Sequence, residues 1–226
     1  MPTLTRASSS EDYTAALARA LAALLRPGDV VTLEGELGAG KTTLTRALAT
    51  ALAVDPALIS SPTYVLVNIY PTRGPHAITR VVHADCYRMT GADDLDAIGW
   101  DQLFDPHSHA AAPGTVALVE WPSRIPDPSM LPAPSHTARI TLKATGTRHR
   151  LITAELPDTW ADREGFPHLL TREPTRCPTT SAWVSPLSPT YPFADQRARD
   201  ADLYKWFSGQ YTASRPAKPE DAEDEA

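Results

Sequence analysis

A phosphate-binding loop pattern, a glycine followed by four residues and then Gly-Lys-Thr, occurs near the N-terminus as Gly35-Glu36-Leu37-Gly38-Ala39-Gly40-Lys41-Thr42. An apolar, β-branched run at 30–33 comes before it and predicts a buried strand. Residues 41–53 follow with leucines at helical spacing, which predicts a helix. Because such a loop works between a strand and a helix, this context supports the pattern. The sequence therefore predicts an α/β fold built around a phosphate-binding loop.

Each residue type in this loop has a physical role in holding a nucleotide and its metal. Glycines let the main chain turn tightly, so that successive amides point inward at an anion. The helix that follows adds the positive end of its dipole. Lys41 can place its ammonium on the outer phosphates, and the Thr42 hydroxyl can ligate Mg²⁺. We therefore predict ATP and Mg²⁺ as ligands, with nucleotide contacts from consecutive residues: Gly38, Ala39, Gly40, Lys41, Thr42 and Thr43.

Two acidic residues end apolar runs and are candidates for the carboxylate that a phosphate-loop enzyme places beside its metal. Glu120 follows the run 116–119, and Asp85 follows the run 78–84. We predict that Glu120 holds Mg²⁺ together with Thr42. Either acid is a candidate for orienting water, and both join Lys41 as predicted catalytic residues.

A hydroxyl-rich segment, Ser60-Ser61-Pro62-Thr63, comes before the next predicted strand. It is either a switch that senses the terminal phosphate through Thr63 or a plain turn before an extended segment. Its place after the loop helix favours the switch, so Thr63 is also a predicted catalytic residue. The Asn-Lys-x-Asp motif of guanine pockets is absent, since the single asparagine, Asn68, is followed by Ile69. Adenine is therefore favoured by default.

The remaining pattern predicts a mixed sheet flanked by helices, with antiparallel hairpins. A helix begins near residue 10 and ends before Pro27-Gly28. Hairpins are predicted at 64–84 and 138–154, a buried strand at 116–119 and a short acidic helix at 92–98. We assign residues 1–157 to the phosphate-loop domain. Residues 158–226 are proline-rich and acidic at the end, which predicts a largely disordered extension. Its tryptophans are the exception, and either dock on the core or bind a partner.

Charge and composition disfavour nucleic-acid-binding, membrane and secreted disulfide-rich classes of protein. The net charge is −6, and five carboxylates of the last seven residues account for most of it, because −1 remains without them. The rest of the chain is near neutral, which disfavours direct tRNA binding, although Arg139, Lys143, Arg148 and Arg150 form a local basic cluster. No apolar run predicts a membrane span or a signal peptide, and two distant cysteines predict no disulfide framework. We expect a cytoplasmic protein, and nothing indicates a stable homo-oligomer.

Four motifs in order give a family resemblance: the phosphate loop, Ser61-Pro62-Thr63-Tyr64, His83-Ala84-Asp85-Cys86-Tyr87-Arg88 and Glu120-Trp121-Pro122. Over residues 3–157 the chain resembles TsaE, formerly YjeE. The resemblance implies a bacterial ATPase that serves threonylcarbamoylation of the tRNA adenosine next to the anticodon. Such proteins bind a complex of TsaD, the transferase, and TsaB, and their ATP hydrolysis resets it between turnovers.

The resemblance also carries site residues onto this chain. It implies that Thr42 and Glu120 are the Mg²⁺ ligands, Asp85 an acid of the ATPase centre and Thr63 the switch hydroxyl. Further nucleotide contacts implied in this way come from the segment against the adenine, from an aromatic beside the site and from the late hairpin: Ser10, Glu11, Trp121, Gly146 and Arg148. The extension after 157 inherits nothing from the resemblance.

Two other functions remain open. A small-molecule kinase can use the same scaffold, but it usually adds an arginine-rich lid, and Arg88 and Arg124 are isolated here. A nucleotide-gated binding module with negligible turnover would keep the loop without efficient hydrolysis. Phosphate release separates the two from an ATPase.

Overall fold

A computed structural model describes residues 1–62, 66–89, 91, 94, 96, 99, 100, 103, 114–131 and 133–209. Its main sheet has seven strands in the order β1-β7-β6-β2-β5-β4-β3. Their bounds are β1 (Thr3–Ser8), β2 (Val30–Glu34), β3 (Val67–Pro71), β4 (Arg80–Asp85), β5 (Thr115–Glu120), β6 (Thr137–Ala144) and β7 (Arg150–Glu155).

The four central strands, β6, β2, β5 and β4, are parallel, whereas β3, β7 and β1 pair antiparallel at the two sides. Central parallel strands are covered on both faces, which explains the continuous apolar runs of β2 and β5. The carboxyl ends of β2, β4 and β5 therefore lie side by side at one edge of the sheet. The predicted mixed sheet, with hairpins β3–β4 and β6–β7, is confirmed.

Two helices pack on this sheet and on each other: α1 (Glu11–Leu24) and α2 (Lys41–Ala51). Ser10 caps α1, because its side chain accepts a hydrogen bond from the amide of Tyr13. Leu17, Leu21 and Leu44 are buried in the same core as the sheet. Among the described residues, no helix combines the length and apolarity that crossing a bilayer requires.

Short 3-10 turns connect these elements, most of them with proline at their first position, where no amide hydrogen is needed. They are Pro56–Leu58, Pro75–Ala77, Pro122–Arg124, Pro128–Met130, Pro134–His136 and Asp158–Trp160. The acidic helix predicted over 92–98 falls largely outside the described residues.

The first strand, β1, was not predicted from the sequence. Its residues alternate between exposed and buried positions, but two of the three buried side chains are polar, Arg6 and Ser8. Hydrophobic alternation, the usual strand signal, is therefore missing. The register places Thr3 opposite Glu155 and Ser8 opposite Arg150, so β1 extends the sheet beyond β7.

The segment after β7 is folded over residues 158–209, which corrects the expectation of a largely disordered extension there. It contains α3 (Phe166–Thr171), a two-stranded hairpin of β8 (Thr175–Arg176) and β9 (Trp183–Val184), and α4 (Gln196–Phe207). Composition predicted disorder because prolines and polar residues dominate. A few large side chains supply the burial that offsets the cost of ordering the chain.

Contacts with the sheet hold this segment in place. Trp160, Phe166 and Leu169 belong to the core that contains α1 and α2. The Arg163 guanidinium binds both carboxylate oxygens of Asp29, with 3.0 Å between Nη2 and Oδ1, and Asp29 is buried. The Arg6 guanidinium donates to main-chain carbonyls at the end of α3, at 3.0–3.1 Å. The buried arginine of β1 thus has its partners in the extension.

Replacing Trp160 with alanine is expected to lower the free energy of unfolding by about 3–5 kcal/mol, because it leaves a cavity in the shared core. The indole is fully buried, and the Arg163 guanidinium lies 4.6 Å from its ring centroid. Urea denaturation measures the change. Trp206, which is 65% exposed, is the matched control, and its alanine variant should stay within about 0.5 kcal/mol of wild type. Equal stability of the two variants would contradict a supporting role for this segment.

Candidate active site

The phosphate loop connects the end of β2 to the start of α2. Its backbone requires glycine at two points in particular. Gly35 has φ 148°, and a Cβ added there would collide with the carbonyl oxygen of Leu142 on β6. Gly40 has φ 102° in the left-handed region and is the residue before α2. Gly40 has no side chain to cap the first amides of α2, which leaves these amides available to an anion.

Replacing Gly35 with alanine is expected to cost about 1–3 kcal/mol of folding free energy, since β6 and the loop must separate to admit the methyl group. Thermal unfolding measures the loss. Gly91 is the control, because among the described residues an added Cβ there meets nothing within 4 Å and its φ lies outside the left-handed region. A Gly35→Ala protein as stable as the Gly91→Ala protein would contradict the tight approach of the two strands.

Lys41 is the first residue of α2, and 4% of its surface is exposed. Its Nζ donates to the carbonyl oxygens of Gly35 at 2.7 Å and Glu36 at 2.9 Å. The same nitrogen lies 3.6 Å from the ring centroid of Trp121. Burial lowers the pKa of Lys41, while the nearby carboxylates of Glu120, Glu34 and Asp85 act in the opposite direction. The ammonium is thus held in place by carbonyls and an aromatic face.

The two predicted carboxylates lie side by side. Asp85 ends β4, Glu120 ends β5, and the parallel register pairs them directly. The Thr42 hydroxyl donates to Glu120 Oε2 at 2.9 Å. On the other side, Glu120 Oε1 lies 2.9 Å from Nε2 of His83, and both side chains are almost completely buried. Glu120 is therefore fixed between the first turn of α2 and a histidine of β4.

Two cavities lie on either side of the loop. The α1 cavity, of about 370 Å³, is lined by Ser8, Ser10, Glu11, Asp12, Thr14, Ala39, Gly40, Thr43, Leu142, Thr147, Arg148, Arg150 and Ile152. The Glu120 cavity, of about 310 Å³, is lined by Leu37, Gly38, Gly40, Lys41, Thr42, Thr43, Ser61, Asp85, Tyr87, Glu120 and Trp121. Gly40 and Thr43 line both, so the two cavities flank one continuous stretch of loop.

This geometry brings together nearly all of the site residues expected from the sequence. Ser10, Glu11 and Arg148 reach the α1 cavity, although nothing in their sequence context requires it. Gly146 lies in the turn between β6 and β7 and does not line either cavity. Thr63 lies outside the described residues, while its neighbour Ser61 lines the Glu120 cavity.

The residues present suit a magnesium ion bound with a nucleotide. The Thr42 hydroxyl and the Glu120 carboxylate lie 2.9 Å apart at the loop, and oxygen donors of this kind are the ones Mg²⁺ prefers. Among the described residues, no group of three His, Cys, Asp or Glu side chains is arranged to hold a metal by itself. Mg²⁺ is usually bound by one or two protein ligands, and phosphate oxygens and water complete its coordination.

Comparison with known proteins identifies the family. The sequence model described as "Threonylcarbamoyl adenosine biosynthesis protein TsaE" matches residues 8–152, which include the loop, Asp85 and Glu120. The chain belongs to the TsaE family. The resemblance seen in the four motifs is thereby confirmed.

Several relatives carry the name tRNA threonylcarbamoyladenosine biosynthesis protein TsaE. The protein of Streptomyces coelicolor is 44% identical over 105 residues, which is 46% of this chain and 64% of that protein, slightly under two thirds. The Bacillus subtilis protein is 35% identical over 142 residues, 63% of this chain and 78% of that protein. The Rickettsia bellii protein is 32% identical over 147 residues, which is 65% of this chain and 92% of that protein. The crystal structure of Bacillus YdiB, 31% identical, aligns with a TM-score of 0.49 over 70% of this chain and 89% of that one.

Three residues of this TsaE family member were not assigned a role from sequence. His83 contacts Glu120, and its Nδ1 is buried without a hydrogen-bond partner among the described residues. Glu34 accepts hydrogen bonds from the amides of Gly35 and Ser123, at 3.3 and 3.2 Å. The Arg150 guanidinium donates to the loop carbonyls of Ala39 and Gly38, at 2.9 and 3.3 Å. His83 lies two residues before Asp85 on the same face of β4 and begins the motif that contains Asp85, so the spacing and the motif were the signals that could have found it.

Proposed function

We propose that this protein is an ATPase that serves threonylcarbamoylation of the tRNA adenosine next to the anticodon and acts on a complex of TsaD and TsaB proteins. The observation that carries the ATPase part is the cluster of Lys41, Thr42 and Glu120 at the phosphate loop. The pathway part rests on membership of the TsaE family and on the names of its relatives. For this role we place the protein in the cytoplasm. Without its acidic end the chain is close to neutral in net charge, which disfavours direct tRNA binding.

The two cavities suggest how the nucleotide lies. The α1 cavity suits the nucleoside, since apolar Leu142 and Ile152 form part of it beside polar Ser10 and Arg148. The loop amides suit the phosphates. The Glu120 cavity suits the terminal phosphate and the attacking water, because the carboxylates of Asp85 and Glu120 lie there with Lys41.

In this proposal Thr42 and Glu120 hold Mg²⁺, which when bound would neutralise charge on the phosphates. The residues of the chain supply the rest of the chemistry by position and charge. Lys41 stabilises the charge that develops on the terminal phosphate, as a preorganised cation in a buried site. Asp85 or Glu120 orients the water, and Thr63 completes the site as the switch hydroxyl. Trp121, in contact with Lys41, reports the nucleotide state through its fluorescence.

The test is a turnover and complex-formation assay. Purified protein is mixed with TsaD and TsaB, with and without ATP, and inorganic phosphate, ADP and co-purification are measured. We expect slow phosphate release alone, faster release with the partners, and a complex in at least one nucleotide state. Lys41→Ala protein is the matched control.

The alternative functions give different outcomes. Phosphate transferred to a metabolite instead of water would indicate a small-molecule kinase. ADP release at background level with both partners present would indicate a nucleotide-gated binding module. Absence of a complex both with and without ATP would argue against the pathway role, even if ATP is hydrolysed.

A further inference from the structure

The guanidinium of Arg150 bridges two loops that border the α1 cavity. Arg150 is the first residue of β7 and pairs with Ala144 of β6 and Ser8 of β1. On one side it donates to the phosphate loop, from Nε to the carbonyl oxygen of Ala39 at 2.9 Å and from Nη2 to that of Gly38 at 3.3 Å.

On the other side, the same guanidinium binds the β6–β7 turn, residues 145–149. Its Nη1 donates to the carbonyl oxygens of Gly146 and His149, both at 2.9 Å, and of Thr147 at 3.3 Å. Among the described residues, its acceptors are therefore five main-chain carbonyls on two loops. A planar guanidinium with fixed donor directions is suited to such bridging, whereas an ammonium is not.

The positions of these carbonyls explain why the bridge matters for the loop. A phosphate loop binds anions through amides that point inward, and in this loop the carbonyls of Gly38 and Ala39 are directed at Arg150. Outward carbonyls at Gly38 and Ala39 need donors, and Arg150 supplies them. The turn on the far side of the bridge brings Thr147 and Arg148 to the α1 cavity. Loop and turn thereby hold a fixed separation across the cavity.

We propose that Arg150 is a positioning residue for nucleotide binding, which orients the phosphate loop through its carbonyls and ties the β6–β7 turn to it. This inference rests on the proposed function for its ligand, an adenine nucleotide. Arg150 also lines the α1 cavity, but its five hydrogen bonds to described residues all go to main-chain carbonyls, so we assign its contribution to the shape of the free site. The expected effect is therefore on nucleotide affinity more than on kcat, because preorganisation of the loop serves ground state and transition state alike.

The test compares Arg150→Gln and Arg150→Lys with Arg139→Gln, a control at an exposed arginine on neighbouring β6. We expect both Arg150 variants to raise the Kd for Mg-ATP by about tenfold or more, as expected for loss of charge-assisted hydrogen bonds, with kcat at saturation within about threefold. Arg139→Gln should bind as wild type. In the free protein, hydrogen exchange should quicken in both Arg150 variants at two hydrogen-bonded amides, that of Ala39 in the phosphate loop, which donates to Glu36 at 3.1 Å, and that of Thr145 in the turn. Thr145 is a suitable probe because its amide donates to His149 across the turn, at 3.0 Å.

Wild-type affinity in Arg150→Lys would overturn the proposal, because a lysine keeps the charge and loses the bridge. Unchanged exchange at the loop and turn would overturn it as well. If Arg150→Gln does not fold, Arg150→Lys decides both readouts. If wild-type protein binds no adenine nucleotide, the proposed function fails, and the exchange measurement still decides whether Arg150 ties loop to turn.

Discussion

Replacing Lys41 with alanine is expected to abolish ATP hydrolysis. The ammonium is the one cation that lines the Glu120 cavity among the described residues, and it faces carboxylates on neighbouring strand ends. Loss of a single preorganised donor at developing charge commonly lowers kcat by about 10²–10³-fold, and this donor also carries a full charge. Phosphate release under saturating ATP measures the effect.

A matched control separates chemistry from folding. Lys143 is exposed on β6 and outside both cavities, so Lys143→Ala should hydrolyse ATP at the wild-type rate. Thermal unfolding of Lys41→Ala checks that loss of the hydrogen bonds to Gly35 and Glu36 has not unfolded the loop. A folded Lys41→Ala protein with wild-type hydrolysis would end the ATPase proposal.

The centre of this site could be predicted from sequence because its residues belong to local patterns. The loop pattern specifies Lys41 and Thr42 by spacing alone. Apolar runs specify where β4 and β5 end, and parallel neighbours then bring Asp85 and Glu120 together. The loop and each strand end are specified by a short stretch of sequence, whereas the pairing of Asp85 with Glu120 joins two separate stretches.

What could not be predicted depends on contacts between distant segments. Arg6 makes β1 look polar, and its partners are carbonyls at the end of α3, more than 160 residues away. Trp160 docks on the core although composition around it predicts disorder. Arg150 belongs to a cluster of basic residues in the sequence, and only the fold shows that it alone of the cluster bridges to the phosphate loop among the described residues. Polar groups that bind main-chain carbonyls leave no periodic signal.

The second large effect is expected for Glu120→Gln, which removes the carboxylate charge while keeping the side-chain shape. We expect the rate of hydrolysis at a fixed Mg²⁺ concentration to fall by about 10²-fold or more. The Mg²⁺ concentration that gives half-maximal activity should rise by about tenfold or more. The fold should survive, because the amide can still pair with the Thr42 hydroxyl and with His83. ATP binding should therefore persist, and calorimetric titration with ATP measures it.

Comparison with Asp85→Asn shows which of the two acids binds the metal and which orients the water. Asp85 is paired with Glu120 across the parallel register, but the Thr42 hydroxyl donates to Glu120. If Glu120 holds the metal and Asp85 orients the water, Asp85→Asn lowers kcat and leaves the Mg²⁺ requirement unchanged. A shifted Mg²⁺ requirement in Asp85→Asn together with a normal one in Glu120→Gln would reverse the assignment. Wild-type kcat and Mg²⁺ dependence in Glu120→Gln would remove Glu120 from the metal site, because a neutral amide cannot replace the charge that binds a divalent cation.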